Sequence, residues 1–415
     1  MLRSCGSASQ VGYAPNVKES EIEAARVAAA HTQHDSLFVP AVAGRRQLDL
    51  GRDVHALLGL VFDRIDLDGA AAHVRRCALQ RRACFLSTPN VNFVVAATQD
   101  PQFRGSVLRS DLSLADGFPI VRAARWMGID LPGRVAGADL FERLQATART
   151  REQPPIKLYL FGGPPGVAAQ AAQRLNAQHG GFDCVGHDEG GFGDVETMSS
   201  PAVIERINHS GADFVLVALG AKKGQAWIER CRTQLAAPVL SHLGAVINFA
   251  ADNITRAPTW LQRAGLEWAW RILQEPGLWR RYWNDGLLLL RIALTQLLPW
   301  SMRRIAGRVP RGAGQPALFE LHEEAGSHAV IALSGDWRAD AAPQPIRQVL
   351  AALLRNGRSV QFDLSAAPAV GSALLGLIAL IDAWQVSPRA VRGASVTDPL
   401  LRRDLQAYGM QHLLD

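Results

Sequence analysis

Short apolar runs alternate with amphipathic segments between residues 54 and 242. Each run ends in glycine, proline or small polar residues, as buried parallel strands do, and the segments between the runs repeat apolar residues at helical spacing. The predicted strands are Val61–Ile65, Ala83–Ser87, Leu112–Ala115, Ile156–Phe161, Phe182–Gly186, Asp213–Leu219 and Val239–His242. This alternation predicts an α/β fold in which a doubly wound, mostly parallel sheet carries helices on its faces.

Polar side chains follow two of these predicted strands. Thr88 and Asn90 come after the strand that ends at Ser87, and Asp116 stands in the tight turn Leu114–Pro119 before a predicted helix. Ligands of open parallel sheets bind beyond the carboxyl ends of the strands, although turn formation alone also explains such residues. Asp116 is therefore the candidate for the central catalytic residue.

A glycine-rich turn, Gly162–Gly166, precedes the alanine-rich helix predicted at Val167–Gln178. A helix N-terminus behind glycines can hold phosphate, but the spacing is not Gly-x-Gly-x-x-Gly, and Pro164 and Pro165 remove backbone donors. The turn argues against a dinucleotide-dependent oxidoreductase, which is one alternative for a fold of this class.

The composition changes after about residue 250 to helices rich in Trp and Arg. The stretch Gly286–Trp300 is strongly apolar, but Arg291 and Gln296 interrupt it, and a membrane span needs about 20 apolar residues. We expect this stretch to lie on a membrane or in a groove without crossing a bilayer. The Trp/Arg texture suits a membrane-interface site that receives a diphosphate, and equally a helical hairpin packed on the α/β core.

Changes in composition predict five segments along the chain. They are a flexible leader at 1–50, an α/β domain at 51–250, a helical membrane-proximal appendage at 251–300, a linker at 301–316 and a small α/β domain at 317–415. Glycine, proline and arginine mark the linker, and a βαβα pattern marks the last domain.

The charge of the chain indicates anionic partners, because the net charge is +6 and the pI is near 9.4. Charge alone does not choose between nucleic acid, an acidic membrane surface and a phosphorylated substrate. The five cysteines are widely spaced without a Cys-x-x-Cys pair, so the sequence indicates neither a zinc site nor a disulfide framework.

Two further polar positions have structural interpretations. Asp66 and Asp68 form an Asp-x-Asp pair of a kind that can hold a divalent metal, but their place before a predicted helix favours an N-cap, and no metal is predicted there. His242 on a predicted strand is interpreted as a core histidine with satisfied hydrogen bonds.

Several short motifs follow one another in order along the chain. They are Thr88-Pro89-Asn90, Ala115-Asp116-Gly117, Arg134-Val135-x-Gly137-x-Asp139-Leu140, Leu158-Tyr159-Leu160-Phe161-Gly162-Gly163, Arg256-Ala257-Pro258 and the segment from Gly265 to Pro276. Together they resemble the WecG/TagA/CpsF bacterial glycosyltransferases, glycosyltransferase family 26, over about residues 55 to 283.

This resemblance implies transfer of a sugar, with inversion, from a UDP-sugar donor to a polyprenyl-diphosphate-linked saccharide, with no essential metal and no cofactor. It implies a Rossmann-like domain whose Trp/Arg-rich appendage closes on the site and contacts membrane and diphosphate. Asp116 matches the general base that takes the proton of the acceptor hydroxyl. The substrate-binding residues that it implies are Thr88, Asn90, Arg134, Gln225, Arg256, Arg271, Arg280 and Arg281.

Two segments depart from the pattern of the family. Where the family typically has Gly-x-Pro-Lys-Gln-Glu-x-Trp, this chain has Lys222, Gly224 and Gln225 in place of Pro, Gln and Glu. The segment after Pro276 is one residue shorter and lacks one arginine. These departures bear on the identity of the donor sugar and on activity.

The last domain resembles a STAS domain of the anti-sigma-factor-antagonist kind through Phe362-Asp363-Leu364-Ser365 and Gly371-Ser372-Ala373. Such domains bind partner proteins, and phosphorylation of a serine in an Asp-Ser motif can switch them. Ser372 takes that serine position and is the regulatory candidate. Because Gly371 replaces the acidic residue, a plain docking role is favoured over phosphorylation.

These observations predict a membrane-associated bacterial glycosyltransferase of cell-surface or exopolysaccharide assembly. We expect a cytoplasmic protein that associates peripherally with the inner face of the cytoplasmic membrane, has a possible protein partner for the STAS-like domain and binds no nucleic acid. The alternative is a regulator in which a weakened transferase domain senses a sugar nucleotide and the STAS-like domain carries the function.

Overall fold

A computed structural model describes residues 37–40, 47–190, 193–244, 246–252, 257–258, 260–261, 265–305, 314–323, 328–339, 342–385, 389–392, 396 and 398–414. Most of the predicted leader, much of the predicted linker and the predicted site residue Arg256 lie outside these residues. The chain divides into two compact units: Leu57–Ser301 is one, and the residues up to Ala56 together with those from Met302 onward are the other.

Strands and helices are numbered in chain order. The strands are β1 (Phe38–Val39), β2 (Leu48–Asp49), β3 (Val54–Leu57), β4 (Leu60–Asp63), β5 (Cys84–Ser87), β6 (Leu112–Ser113), β7 (Ile156–Gly162), β8 (Phe182–Asp188), β9 (Phe214–Ala218), β10 (Val239–His242), β11 (Leu318–Glu323), β12 (His328–Trp337) and β13 (Ser359–Val370).

The α-helices are α1 (Leu67–Leu79), α2 (Val91–Gln99), α3 (Pro101–Leu108), α4 (Phe118–Trp126), α5 (Gly137–Gln145), α6 (Val167–Gln178), α7 (Val195–Met198), α8 (Pro201–His209), α9 (Ala221–Cys231), α10 (Val246–Ala250), α11 (Glu267–Gln274), α12 (Trp279–Ile292), α13 (Leu298–Ile305), α14 (Gln344–Arg355), α15 (Ser372–Trp384) and α16 (Pro399–Ala407). Short 3-10 turns lie at Pro276–Leu278 and Gln411–Leu413, and a π-helical stretch lies at Ala293–Leu297.

The larger unit is built on a six-stranded parallel sheet with the strand order β6-β5-β10-β9-β7-β8. In the middle of the sheet, Val239 of β10 is in register with Cys84 of β5 on one side and with Phe214 of β9 on the other. The carboxyl ends of these strands therefore meet at one edge. The predicted α/β class with a mostly parallel sheet is confirmed.

Both faces of this sheet are covered by apolar clusters. Successive strand residues point to opposite faces, so Leu216 of β9 joins one cluster and its neighbour Val215 joins the other. Helices α1, α5 and α6 contribute to the first cluster, and α8 and α9 contribute to the second. A strand that is buried on both sides gains from apolar residues at every position, which is why the strands stood out as continuous apolar runs.

Helix α1 confirms the capping interpretation of the Asp-x-Asp pair. The Asp66 carboxylate accepts a hydrogen bond from the Gly69 N–H at 2.7 Å, as an N-cap does. Helices α3 and α5 were not among the predicted elements. Asp100 caps α3 in the same way, and α5 begins at Gly137 without a side-chain cap, so it carries little local signal.

The smaller unit contains a three-stranded sheet in which β12 lies between β11, which runs antiparallel to it, and β13, which runs parallel to it. Helix α15 is almost completely buried. Part of the predicted leader also has regular structure in this unit, because β1 and β2 pair with each other and bury Val39 and Leu48. The buried guanidinium of Arg347 binds the carbonyl groups of Leu50 and Arg52. The STAS resemblance stays a prediction.

Candidate active site

Asp116 lies in the loop that follows strand β6, at the carboxyl edge of the parallel sheet. Its N–H donates to the Pro89 carbonyl at 3.1 Å, so the loops after β5 and β6 are joined at this point. Gly117, which follows, has a φ of 142°, a conformation that L residues with side chains rarely adopt. The glycine thus permits the turn that leads from Asp116 into helix α4.

The segment Arg134–Asp139 encloses Asp116 from a second direction. The Val135 N–H donates to the Ala115 carbonyl at 2.9 Å, which fixes the segment beside the Asp116 loop. The Gly137 N–H, at the start of helix α5, donates to the Asp116 carboxylate. A Cβ at Gly137 would lie 2.5 Å from the end of the Leu243 side chain, so a larger residue here would displace that side chain.

Arg134 connects this segment to helix α11. Its guanidinium contacts the Asp139 carboxylate at 2.8 Å and the Glu267 carboxylate at 2.6 Å, and all three side chains are about four-fifths buried. We call Asp116, Arg134, Asp139 and Glu267 the charge cluster. A partly buried guanidinium with two carboxylate partners has a fixed orientation, and its predicted contact with substrate stays a prediction.

The charge cluster holds the Asp116 carboxyl near its point of titration at neutral pH. Partial burial raises the pKa of Asp116 to about 7, the positive charge of Arg134 opposes this rise, and Glu267 and Asp139 add to it. Burial disfavours the charged form of Arg134, yet Asp139 and Glu267 keep the pKa of this guanidinium above its usual range. A carboxyl group with a pKa near the working pH is suited to general base catalysis.

Thr88 and Asn90 lie where the sequence predicted them, next to the Asp116 loop. Thr88 is buried, and its hydroxyl lies 3.5 Å from the place where a Gly137 side chain would begin. Asn90 caps helix α2 by accepting a hydrogen bond from the Phe93 N–H at 3.3 Å. Asn90 therefore has a structural role as a helix cap and also lies close to the candidate base.

Gln225 is buried under the carboxyl edge of the sheet, on the face opposite the charge cluster. It is 1% exposed, and its amide nitrogen donates to the Ser87 hydroxyl at 2.7 Å, which in turn lies 2.6 Å from the Ser110 hydroxyl. Among the described residues, the Gln225 amide oxygen has no hydrogen-bond partner. The amide nitrogen of Gln225, a predicted substrate-binding residue, is therefore already bonded to Ser87.

Gly224 lies directly against His242. A Cβ at Gly224 would be 2.3 Å from the imidazole, so the glycine makes room for this ring. One ring nitrogen of His242 binds the Leu219 carbonyl, and the other has no partner among the described residues. Burial lowers the pKa of His242, and its position in the core is confirmed. We call Ser87, Gly224, Gln225 and His242 the neutral wall.

The predicted arginines of the appendage lie on α11 and at the start of α12. Arg271 lies 3.7 Å from Glu275, and its Nε has no partner among the described residues. Arg280 and Arg281 are exposed and stack over the rings of Trp279 and Tyr282. The structure joins the appendage to the α/β core through Arg134–Glu267 and through Asn92–Asp285, the latter at 3.5 Å.

Helix α12 and the residues after it carry an exposed apolar stripe. Its members recur at intervals of three and four residues, so they share one face of the helix. They are Trp279, Trp283, Leu287, Leu290, Leu294 and Leu298, all between 38% and 64% exposed. Asp285, Ile292 and Leu297 lie on the buried side. Within the described residues, no helix combines the length and apolarity that crossing a membrane requires.

Ser372 belongs to the smaller unit and is the first residue of α15. Its hydroxyl lies 2.9 Å from Nδ1 of His55. The regulatory role of Ser372 stays a prediction.

Comparison with known proteins identifies the family of this chain. The model of the WecG/TagA/CpsF glycosyl transferase family matches residues 55–303. The chain belongs to this family. A Bacillus spizizenii protein named N-acetylglucosaminyldiphosphoundecaprenol N-acetyl-beta-D-mannosaminyltransferase is 29% identical over 217 residues, which are 52% of this chain and 81% of the relative. The WecG/TagA/CpsF match covers the larger unit, the charge cluster and the neutral wall.

Sequence reasoning missed the partners of Arg134 within this WecG/TagA/CpsF site. Asp139 and Glu267 both stood in the quoted motifs, but they had no assigned role. Their acidic character next to a motif arginine was the available signal. The distance of 133 residues between Arg134 and Glu267 concealed their pairing.

Proposed function

We propose that this chain is an inverting glycosyltransferase that moves a hexose from a UDP-sugar to a polyprenyl-diphosphate-linked saccharide in bacterial cell-surface or exopolysaccharide synthesis. Family membership and the name of the Bacillus relative support the acceptor class. The observation that carries the proposal is the enclosed Asp116 carboxyl, whose pKa of about 7 suits a general base.

In the proposed reaction the Asp116 carboxylate takes the proton from the acceptor hydroxyl. The hydroxyl oxygen attacks the anomeric carbon of the donor, the bond between this carbon and the UDP oxygen breaks, and UDP leaves with the bonding electrons. One displacement inverts the anomeric centre. Because a base must be ionised, we expect kcat/KM to rise with pH and to level off above the Asp116 pKa, which is about 7.

The donor diphosphate needs positive charge as UDP leaves. Arg271, Arg280 and Arg281 lie on helices α11 and α12, and α11 is joined to the charge cluster through Glu267. Arginine provides several N–H donors in a fixed fork that matches phosphate oxygens. We assign the stabilisation of the leaving diphosphate to these arginines, in a reaction that does not require a metal.

The exposed apolar stripe is the proposed contact with the lipid that carries the acceptor. A helix with an apolar face and flanking arginines such as Arg280 and Arg291 can lie in the interface of a membrane with anionic lipids. This placement corresponds to peripheral association with the inner face of the cytoplasmic membrane. The polyprenyl chain would then remain in the bilayer while its saccharide reaches Asp116.

The central test compares wild type with Asp116→Asn. Purified protein is mixed with a polyprenyl-diphosphate-linked saccharide and a panel of UDP-hexoses, and the released UDP is measured. We expect Asp116→Asn to lose about 10²–10⁴-fold in kcat, the usual contribution of a general base, while UDP affinity measured by calorimetry changes little. Asp130→Asn, a surface carboxylate change, is the matched control.

Equal turnover by wild type and Asp116→Asn would remove Asp116 as the base. An absence of turnover with all donors, despite UDP binding, would favour the alternative of a sugar-nucleotide-sensing regulator.

The membrane proposal predicts that Trp283→Ser combined with Leu287→Ser lowers co-sedimentation with vesicles of anionic phospholipid. Each buried methylene contributes about 0.8 kcal/mol to transfer from water, so losing two large side chains should weaken binding more than tenfold. Turnover of a short-chain, water-soluble acceptor should stay unchanged. Asn284→Ser on the same helix is the control, and equal co-sedimentation of all three proteins would contradict the membrane role of the stripe.

A further inference from the structure

Three potential metal ligands converge at the amino end of strand β5, at the opposite end of this strand from Thr88. His73 and Cys77 lie on helix α1 and Cys84 is the first residue of β5, and their ligand atoms all lie within 4.8 Å of one another. The sequence did not indicate a zinc site, because the spacing His-x3-Cys-x6-Cys divides the ligands between a helix and a strand.

The local fold explains why the three side chains meet. Residues four apart lie on the same face of a helix, which aligns His73 with Cys77. The chain then reverses through Arg81, whose φ is 53°, and the Arg82 N–H donates to the Cys77 carbonyl at 2.9 Å. The Cys84 N–H donates to the Pro238 carbonyl at 2.8 Å, which fixes Cys84 in the sheet beside Cys77.

We propose that His73, Cys77 and Cys84 bind a zinc ion that fastens helix α1 to the start of strand β5. In tetrahedral zinc sites the metal–sulfur distance is about 2.3 Å and the metal–nitrogen distance is about 2.0–2.1 Å, so that ligand atoms lie roughly 3.6–3.8 Å apart. The observed limit of 4.8 Å exceeds this spacing by about 1 Å, so metal binding draws the three side chains closer together. His73 is partly exposed, so a water molecule could complete the tetrahedron as the fourth ligand.

The electrostatics of the cluster suit a divalent cation. Two thiolates balance the charge of Zn²⁺, so the buried site has no net charge to desolvate. Cys77 and Cys84 are 5% and 1% exposed. The Cys77 thiol lies within hydrogen-bonding reach of both Cys84 and His73, so the three ligand groups already face one another. The negative charge of Asp63 lies near His73 and also favours a cation.

Two other described cysteines, Cys184 and Cys231, lie outside this cluster. Burial is the main cause that raises the pKa of both thiols to about 11. Neither belongs to a group of three potential metal ligands among the described residues. Cys184 and Cys231 are therefore matched controls within the same protein.

The test measures zinc retained by the untagged full-length chain. The protein is prepared under reducing conditions, dialysed against zinc, passed through gel filtration and analysed for metal by mass spectrometry. We expect wild type, Cys184→Ser and Cys231→Ser to retain one zinc ion per chain, and the double variant Cys77→Ser/Cys84→Ser to retain none. Equal retention by the double variant, or no retention by wild type, would overturn the proposal.

Cobalt substitution tests the site without any variant, in case the double variant does not fold. Co²⁺ bound by two thiolates and an imidazole gives thiolate-to-metal charge-transfer bands and the intense visible bands of a four-coordinate ion. We expect both, and we expect chelation of zinc to lower the melting temperature of wild type. A cobalt spectrum without thiolate bands, or a melting temperature that chelation does not change, would contradict the site.

Discussion

The two faces of the sheet differ sharply at its carboxyl edge. On one face, the charge cluster joins Asp116, Arg134 and two further carboxylates in partly open surroundings. On the other face, the neutral wall places Gln225 and His242 out of contact with solvent, bonded to neutral partners. Charged groups need counter-charges or water, whereas neutral polar groups can be sealed by a few hydrogen bonds.

This difference assigns separate tasks to the two faces. Proton transfer requires a group whose charge can change within reach of substrate, which only the charge cluster provides. The neutral wall has no group of this kind, since burial lowers the pKa of His242 and keeps it neutral. We infer that the neutral wall sets the shape of the site and keeps water from the strand ends, and that its departures from the family pattern alter fit more than chemistry.

A charge placed on the neutral wall should disturb the protein most. Gln225→Glu restores the residue typical of the family but buries a carboxyl beside Ser87. Burial raises the pKa of such a carboxyl, so the destabilisation is fully present at high pH and decreases as the pH falls and the group becomes protonated. We expect a loss of roughly 3 kcal/mol in the free energy of unfolding at pH 8, measured by urea denaturation.

Gln225→Met is the matched control for this change, because it removes the amide without adding charge. Since it also removes an amide oxygen without a partner among the described residues, its effect should stay within about 1 kcal/mol. Equal stability of Gln225→Glu and wild type at pH 8 would show that solvent reaches the neutral wall, which would contradict the difference between the two faces.

A second prediction concerns the packing of the wall. Gly224→Ala places a methyl group 2.3 Å from His242, whose ring is held by the Leu219 carbonyl. We expect a destabilisation of about 1–3 kcal/mol, the usual cost of overpacking. In a protein that already carries His242→Ala, the same Gly224→Ala change should cost less free energy of unfolding. A double-mutant cycle measures this difference as a coupling between the two positions.

Gly286→Ala is the control for helix propensity, since Gly286 lies inside helix α12 with open space around its Cα. This change should stabilise the protein by up to about 1 kcal/mol. Stabilisation by Gly224→Ala of the same size would show that the wall is not tightly packed.

A third prediction concerns the pH dependence of kcat/KM in variants of the charge cluster. Glu267→Gln removes a negative charge that raises the pKa of Asp116, so the rising limb of kcat/KM should move to lower pH. Arg134→Gln removes the positive charge that lowers this pKa, so the limb should move to higher pH. We expect shifts of about 0.5–1 pH unit in opposite directions.

Glu275 directly follows the helix that begins at Glu267. As a control, Glu275→Gln should not change the pH at which kcat/KM rises. Shifts of the same sign for Glu267→Gln and Arg134→Gln would show that the limb does not report the Asp116 carboxyl.

Much of the larger unit could be predicted because local signals agreed with the final fold. Strands buried on both faces produce continuous apolar runs, so β7, β9 and β10 were placed within a few residues. Asp116 could be placed in the same way because its motif follows a strand end, whereas Arg134 lies in the loop between α4 and α5 and was found through its motif alone. Gly137, a motif glycine, packs closely against the Leu243 side chain.

Other features depended on contacts between distant segments. The pairing of Arg134 with Glu267, the burial of Gln225 against Ser87 and the packing of Gly224 on His242 each join segments that no local pattern connects. Part of the predicted leader forms β1 and β2, because Val39 and Leu48 find apolar surroundings in the smaller unit.

Periodicity and turn residues act over short distances along the chain, so the α/β class, the parallel sheet and the loop that carries Asp116 could be predicted from the sequence. The pKa of Asp116, the burial of the neutral wall and the proximity of His73, Cys77 and Cys84 follow from the tertiary structure instead. Desolvation, ion pairing and metal-ligand geometry depend on distances in space, and the fold sets these distances independently of spacing in the sequence.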